Sequence, residues 1–272
     1  MAFVEVDHLF FRYDNLEVLH DVNITLAKGE LVAMVGQNGA GKTTLAKHFN
    51  GLLKPSQGAV RIAGRDTRSV PISELARHVG YCYQNPDHQI FSATVREELI
   101  YGPRQLGIPQ DKIDWLVSQI APLMGIDQFL HVYPYTLSKG IRQKIAVASV
   151  LMSEATVLVV DEPTTGLDWR DSSAIMRMFV TLAEQGHTVC VITHDMRVVA
   201  EFVSRTIVMR QGHVIADGLT REVFADEPLL SSAFVLPPQI TRIGHRISDA
   251  ARPTWLNVLE GTTWIRQNVK EG

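Results

Sequence analysis

The sequence predicts an α/β protein: a parallel sheet covered on both faces, with antiparallel strands before it, a helical subdomain inserted in it and a helical appendage after it. Near-continuous apolar runs at 31–35, 157–160, 188–192 and 206–209 alternate with helical patterns, as expected of strands buried on both faces. A glycine-rich loop joins the first of these runs to a helical pattern at 43–49. The chain has 272 residues, 46% of them apolar and 20% charged, which is the balance of an ordinary globular protein with a sizeable core.

Residues 3–13, 21–27 and 30–35 are short β-prone runs separated by turn-formers, and 58–62 continues the style, so an antiparallel sheet is expected at the start. The run at 31–35 also opens the second grammar of strand, loop and helix. Between residues 93 and 150 the strand pattern lapses, and 94–101, 112–124 and 140–152 read as helices of an inserted subdomain. The alternation then returns: strand 157–160, a helix over 169–185 ended by Gly186, strand 188–192, a further helix and strand 206–209. Past Asp226, Pro228, Pro237, Pro238 and Pro253 divide short segments that each suit a helix, and Ile240, Ile243 and Ile247 are spaced to share one helix face. The expected organisation is one unit over 1–225, with its helical subdomain at about 93–150, and a C-terminal helical extension over 226–272.

Composition excludes several classes. With 26 Lys and Arg against 29 Asp and Glu the formal charge is −3, so no basic field draws nucleic acid, and no nucleic-acid partner is expected. The longest mostly apolar stretch, 146–160, is broken by Ser149, Ser153, Glu154 and Thr156, which argues against a membrane span. The first residues lack the basic flank and apolar run of a signal peptide, and Cys82 and Cys190 read as unlinked core thiols of a cytosolic protein. The histidines show no paired ligand spacing, so no transition-metal site is expected. Met176 and Met178 read as packing. Trp255 and Trp264 read first as packing on their own domain, with anchoring to a partner or the membrane surface as the alternative.

Gly36, Gln37, Asn38, Gly39, Ala40, Gly41, Lys42 and Thr43, followed by Thr44, fit the pattern G-x-x-x-x-G-K-[ST] between a buried strand and a helix start. In that setting the glycines let backbone N–H groups curl around phosphate oxygens, Lys42 adds a full positive charge, and the Thr43 hydroxyl is placed to ligate Mg²⁺. The strand at 157–160 runs into Asp161 and Glu162, which puts two carboxylates at the ligand-binding edge of a parallel sheet. Asp161 is expected to hold Mg²⁺, usually through water, and Glu162 to polarise the water that attacks the γ-phosphate.

The stretch Leu137-Ser138-Lys139-Gly140-Ile141-Arg142-Gln143-Lys144 resembles the signature motif of ATP-binding cassette (ABC) proteins, whose common form is Leu-Ser-Gly-Gly-Gln. The resemblance extends over residues 3 to about 224, in the family's motif order. It implies a P-loop NTPase core binding ATP and Mg²⁺, with Tyr13 stacking on adenine, Gln84 in the Q-loop reaching Mg²⁺ and the attacking water, Asp168 in the D-loop, and His194 as the switch histidine. By the same resemblance Glu162, His194 and Gln84 form the catalytic set, and Thr43, Gln84 and Asp161 the Mg²⁺ set. Ser138, Lys139 and Gly140 would act in trans on nucleotide held by a second ABC ATPase subunit, in a homo- or heterodimer. Lys139 and Ile141 depart from the common signature. A side chain at 139 either crowds the partner's nucleotide or brings its ammonium to a phosphate or a backbone carbonyl.

Residues 84–95 and 236–242 resemble the ATPases of energy-coupling factor (ECF) importers, which move vitamins or nickel and cobalt ions. This resemblance implies an ATPase subunit at the cytoplasmic face of the cell membrane, partnered by a transmembrane coupling subunit and a substrate-binding membrane subunit. Ile90 and Phe91 then suit a groove receiving a helix of the membrane partner, or else belong to the domain's own core. A soluble ABC ATPase acting on nucleic acid or ribosomes is the alternative. The near-neutral charge, the single cassette and the resemblance around Phe91 weigh against it.

Overall fold

The computed structural model describes residues 2–247 and 253–268, so parts of the expected C-terminal extension, 248–252 and 269–272, lie outside the described residues. Among the described residues ten strands run in chain order: β1 (Ala2–Tyr13), β2 (Leu16–Ala27), β3 (Leu31–Val35), β4 (Gln57–Ile62), β5 (Arg65–Asp66), β6 (Val79–Cys82), β7 (Val157–Asp161), β8 (Thr188–Ile192), β9 (Arg205–Arg210) and β10 (His213–Leu219). The helices are α1 (Lys42–Phe49), α2 (Ile72–Leu75), α3 (Val95–Gln105), α4 (Gln110–Met124), α5 (Lys139–Leu151), α6 (Trp169–Glu184), α7 (Met196–Phe202), α8 (Thr220–Ala225), α9 (Glu227–Ser232), α10 (Gln239–Ile247) and α11 (Val258–Asn268).

The first sheet has the order β2-β1-β4-β5, with the neighbouring strands antiparallel, as the opening runs predict. The second has the order β10-β9-β3-β8-β7-β6, parallel from β9 to β6 with β10 antiparallel at its edge. Strand β2 starts at Leu16, earlier than the apolar pattern suggests, because Asp14 in a left-handed conformation (φ 49°) closes a tight hairpin that pairs Tyr13 with Leu16. Leu16 and Glu17 are exposed, so this half of the strand carries little hydrophobic signal.

The parallel sheet explains the near-continuous apolar runs. Ala33, Val35, Leu158, Val160, Val189 and Val191 face one core, which includes the helical subdomain. Val32, Met34, Val157, Val159, Cys190 and Ile192 face the other, shared with α1 and the antiparallel sheet. Successive strand residues point to opposite faces, so a strand covered on both sides must be apolar throughout. Strand β6 is four residues long and carries Gly80, where a Cβ would sit 1.9 Å from Val150 Cγ1 of α5. A helix side chain thus takes the place that a strand side chain would fill.

The helical subdomain matches its pattern. Thr94 and Glu97 form a reciprocal capping box at the start of α3: Glu97 N–H donates to Thr94 Oγ1 at 3.2 Å, and Thr94 N–H to Glu97 Oε2 at 3.1 Å. Leu230, Ala233 and Val235, past residue 225, join the larger core. In α10 the buried residues are Thr241 and Gly244, whereas Ile243 and Ile247 are exposed. A Cβ at Gly244 would lie 2.2 Å from the Pro253 carbonyl oxygen, and Thr241 Oγ1 donates to the Trp255 carbonyl, so close backbone approach fixes this helix's buried face. Trp255 is buried and packs at 5.5 Å between ring centroids on Trp264, in line with packing on their own domain. Cys82 and Cys190 are free buried thiols, Met176 is buried and Met178 partly so. Among the described residues no helix is long and apolar enough to cross a membrane.

Candidate nucleotide site

The loop between β3 and α1 is held by groups that only its sequence supplies. Gly36 has φ 146°, and a Cβ there would lie 2.1 Å from the Met209 carbonyl oxygen, so the loop passes β9 at a distance no side chain permits. Gly41 is left-handed at φ 101° and forms the N-cap of α1, and its carbonyl accepts from Leu45 N–H at 2.8 Å. The free N–H groups of the first turn therefore open toward the sheet edge. Lys42 is buried, and its Nζ donates to the carbonyls of Gly36 (2.8 Å) and Gln37 (2.9 Å). An ammonium has three protons, so one remains for an anion. Burial lowers the Lys42 pKa, opposed by the charges of Glu162 and Asp161.

Strand β8 lies between β3 and β7, which sets the two acidic residues across the edge from the loop. Thr43 Oγ1 donates to Asp161 Oδ2 at 3.0 Å. The same oxygen accepts from Tyr81 Oη at 2.9 Å, a partner that sequence reading did not pick out. Burial first, and then the adjacent Asp161 carboxylate, raise the Tyr81 pKa, so this phenol remains a donor.

Glu162 is buried with φ 50°, a left-handed conformation costly for a residue with a Cβ. Its N–H donates to the Ile192 carbonyl at 2.8 Å, which pins the backbone in this state. The carboxylate accepts from His194 Nδ1 at 2.7 Å and from Thr165 Oγ1 at 3.1 Å. A carboxylate only accepts, which assigns the proton to Nδ1 and leaves Nε2 free on a largely exposed imidazole.

These groups line one cleft of about 1900 Å³. It gathers Gly36, Gln37, Asn38, Gly39, Gly41, Lys42, Thr43, Thr44, Gln84, Asp161, Glu162 and His194, with a second wall of residues from 234–240 and 256–259. Ala40 lies buried beneath the loop. Tyr13 is exposed and meets Phe11 edge-on at 4.8 Å, outside the residues that line the cleft. Phe11 in turn meets His48 of α1 at 4.7 Å. His48 is wholly buried with Nδ1 donating to the Thr44 carbonyl at 2.8 Å, and burial lowers its pKa to about 4. Only its helical spacing with Thr44 hinted at this anchoring role.

The signature residues also lie outside the cleft lining. Ser138 is exposed and caps α5, its Oγ accepting from Ile141 N–H at 3.4 Å. Lys139 Nζ donates to the Thr165 carbonyl of the same chain at 2.5 Å, so within one chain its ammonium meets a backbone carbonyl. A Cβ at Gly140 would lie 2.8 Å from Asp171 Oδ2, so α5 starts tight against α6. Asp168 caps α6 by accepting from Asp171 N–H at 2.8 Å. Ile90 and Phe91 divide the two expectations: Ile90 is in the core, while Phe91 is 62% exposed with its ring edge-on to Tyr101 at 4.7 Å. The segment before them is tied to α5 by Arg142 Nε donating to Asp87 Oδ1 (2.7 Å) and Gln89 Nε2 donating to the Ala146 carbonyl (2.7 Å).

A phosphate loop and an acidic strand end facing one cleft of a parallel sheet define a P-loop nucleotide-binding cassette. Residues 19–165 match the ABC transporter family. The chain belongs to the ABC transporter ATP-binding family, whose members are ATPases, and its relatives include energy-coupling factor proteins. It is 37% identical to the energy-coupling factor transporter ATP-binding protein EcfA of Methanocaldococcus jannaschii, over 89% of this chain and 88% of that one. It is 40% identical to an ABC transporter ATP-binding protein of Caldanaerobacter subterraneus subsp. tengcongensis over 94% of this chain, and spans only 45% of that relative's length. Among solved structures it resembles cbiO1 from Clostridium perfringens, part of the ABC transporter complex cbiONQ, with a TM-score of 0.79 and 33% identity over 90% of this chain and 98% of that one.

Proposed function

We propose that this chain is the ATP-hydrolysing subunit of an ABC-type importer of the energy-coupling factor kind, taking up a vitamin or a cobalt or nickel ion. The reading rests on one observation: Lys42, Thr43, Asp161, Glu162 and His194 converge on one cleft, while the helix end capped by Ser138 stands outside it. In this reading the loop N–H groups and Lys42 bind the phosphates of ATP, and Tyr13 stacks on adenine. Glu162, held by its left-handed backbone, accepts the proton of the attacking water. His194 moves from Glu162 to donate to the γ-phosphate, which leaves the carboxylate free as a base. Gln84 orients the water from the same cleft.

Mg²⁺ fits this corner. Thr43 Oγ1 and the Asp161 carboxylate are hard oxygen donors held together by the 3.0 Å bond from Thr43 Oγ1 to Asp161 Oδ2, and Gln84 adds an amide oxygen. When bound, the ion neutralises charge on the phosphate oxygens. Ser138, Lys139 and Gly140 would complete the site of a second ATPase subunit, whose own signature completes this one. The exposed Phe91 face would seat a helix of a transmembrane partner, and the ties from Asp87 and Gln89 to α5 would carry its movement to the signature. The chain would then sit on the cytoplasmic face of the membrane.

Purifying a tagged copy from membranes tests the whole reading. The expected result is recovery with a membrane subunit and an ABC ATPase, with Mg²⁺-dependent ATP hydrolysis. Recovery of an active ATPase without any membrane protein would overturn the importer assignment.

A further inference from the structure

We propose that Tyr81 is a positioning residue for the metal-binding carboxylate of Asp161, and that its hydroxyl sets how tightly the site holds Mg²⁺ with nucleotide. The inference rests on the ATP- and Mg²⁺-binding reading above and adds a residue to it. Asp161 sits at the last position of β7, where a carboxylate can swing about its side-chain torsion. Two donors stop that rotation. Thr43 Oγ1, from the phosphate-loop helix, and Tyr81 Oη, from β6, both donate to Oδ2, at 3.0 and 2.9 Å. Oδ1 is thereby aimed in a fixed direction and keeps its lone pairs for the ion or a water on it.

Register shows why Tyr81 does this. In the parallel pair, Tyr81 lies beside Val159 and Cys82 beside Val160, so Tyr81 is two residues below the level of Asp161 on the neighbouring strand. A phenol is long enough to climb that offset, whereas a Ser or Thr hydroxyl at 81 would stop short of it. The ring is half-buried against the core beneath the antiparallel sheet and meets Tyr83 edge-on at 5.3 Å, so its hydroxyl is not free to wander. Thr43 and Tyr81 differ in one respect. The Thr43 oxygen has its own lone pairs for the metal, while Tyr81 reaches the metal's position only through Asp161. Tyr81 therefore acts on metal affinity and leaves metal-free phosphate binding to the loop and Lys42.

The test is Tyr81→Phe, which keeps the ring and its packing and removes one hydroxyl. Binding of a fluorescent ATP analogue to the purified full chain is followed in EDTA and across a Mg²⁺ titration, and Mn²⁺ binding with ATP is followed by electron paramagnetic resonance. The Mg²⁺ and Mn²⁺ midpoints are expected to rise about tenfold, the scale of losing a group that orients a metal ligand. Binding in EDTA is expected to stay at the wild-type value, and saturating Mg²⁺ to restore the rest. Unchanged metal midpoints would overturn the proposal. So would equal weakening with and without metal, because that marks Tyr81 as packing alone; thermal melts of both proteins give the matching control. If the wild-type chain itself fails to bind the analogue, it is the nucleotide reading that falls.

Discussion

At the edge of the parallel sheet, Thr43, Asp161 and Tyr81, and beside them Glu162 and His194, hold one another through hydrogen bonds between distant parts of a single chain, while Lys42 is held by the carbonyls of its own loop. At the start of α5, Ser138 caps its own helix, Lys139 reaches the Thr165 carbonyl and Gly140 rests against Asp171, so each contact braces the helix start and the capping Ser138 is exposed. The first region is assembled on folding; the second is an exposed helix start whose ligand would come with another subunit. The contrast teaches that the two regions fail differently in function: damage to the first should alter nucleotide binding or chemistry at the chain's own site, and damage to the second should leave nucleotide binding by the chain intact and lower turnover of an assembled pair.

The largest expected effect separates chemistry from binding within the first region. Glu162→Gln should keep nucleotide binding and lower hydrolysis roughly 10²-fold or more, as expected on losing a positioned base. Lys42→Ala should instead weaken ATP binding by roughly tenfold to a hundredfold, the worth of a charge-assisted hydrogen bond. Steady-state turnover beside equilibrium titration separates the two. Equal turnover in the Gln variant would remove Glu162 from the role of base.

A second prediction concerns what holds the first region. His48 anchors α1 from beneath, and burial lowers its pKa from 6.5 to about 4. Above pH 6.5 the ring is neutral whether folded or unfolded. As pH falls from 6.5 toward 4, the unfolded chain takes up a proton that the folded chain excludes, so stability is lost over that window, by about 3 kcal/mol. Denaturant melts at several pH values should show this slope, and His48→Gln should remove it relative to wild type. A variant with the wild-type slope would show that His48 is protonated within the fold.

Much of this was legible in sequence because the physics is local. A loop that must let backbone touch phosphate needs glycine and lysine at fixed spacing, and strands covered on both faces must be apolar throughout. What escaped depends on contacts far along the chain. Tyr81 meets Asp161 across 80 positions, and nothing in its neighbours announces the partner. The isoleucines of α10 share a helix spacing, yet Gly244 and Thr241 form the buried side because backbone approach there outweighs side-chain hydrophobicity. Lys139 was singled out as a departure from the family signature, but its partner at Thr165 is a carbonyl, which sequence does not distinguish from any other.

In the second region, Ser138→Ala removes the cap of α5, at a cost of about 1 kcal/mol in stability. The sharper expectation is functional: ATP binding by the isolated chain should be unaltered, while turnover of the assembled pair falls. Loss of nucleotide binding by the isolated chain would break the division drawn here, because it would place Ser138 in the chain's own site.

The smallest effect tests the residue that departs from the family pattern. Lys139 Nζ holds the Thr165 carbonyl, and a Cβ on the next residue, Gly166, would lie 2.9 Å from that ammonium, so the contact is close and specific to this backbone. It ties the start of α5 to the loop that leads into Asp168 and α6, and so makes one unit of two segments that would face the partner's nucleotide together. Lys139→Gly should loosen that unit. The net worth of such a bond is about 1 kcal/mol, so turnover of the assembled pair should fall roughly fivefold, with ATP affinity of the isolated chain unchanged and faster amide exchange over 164–167. A rise in turnover would mean that the lysine obstructs closure, and the signature would then work better in its common glycine form. Unchanged turnover together with unchanged exchange would show that the Thr165 contact carries no load, leaving Gly140 and Ser138 as the working part of this surface.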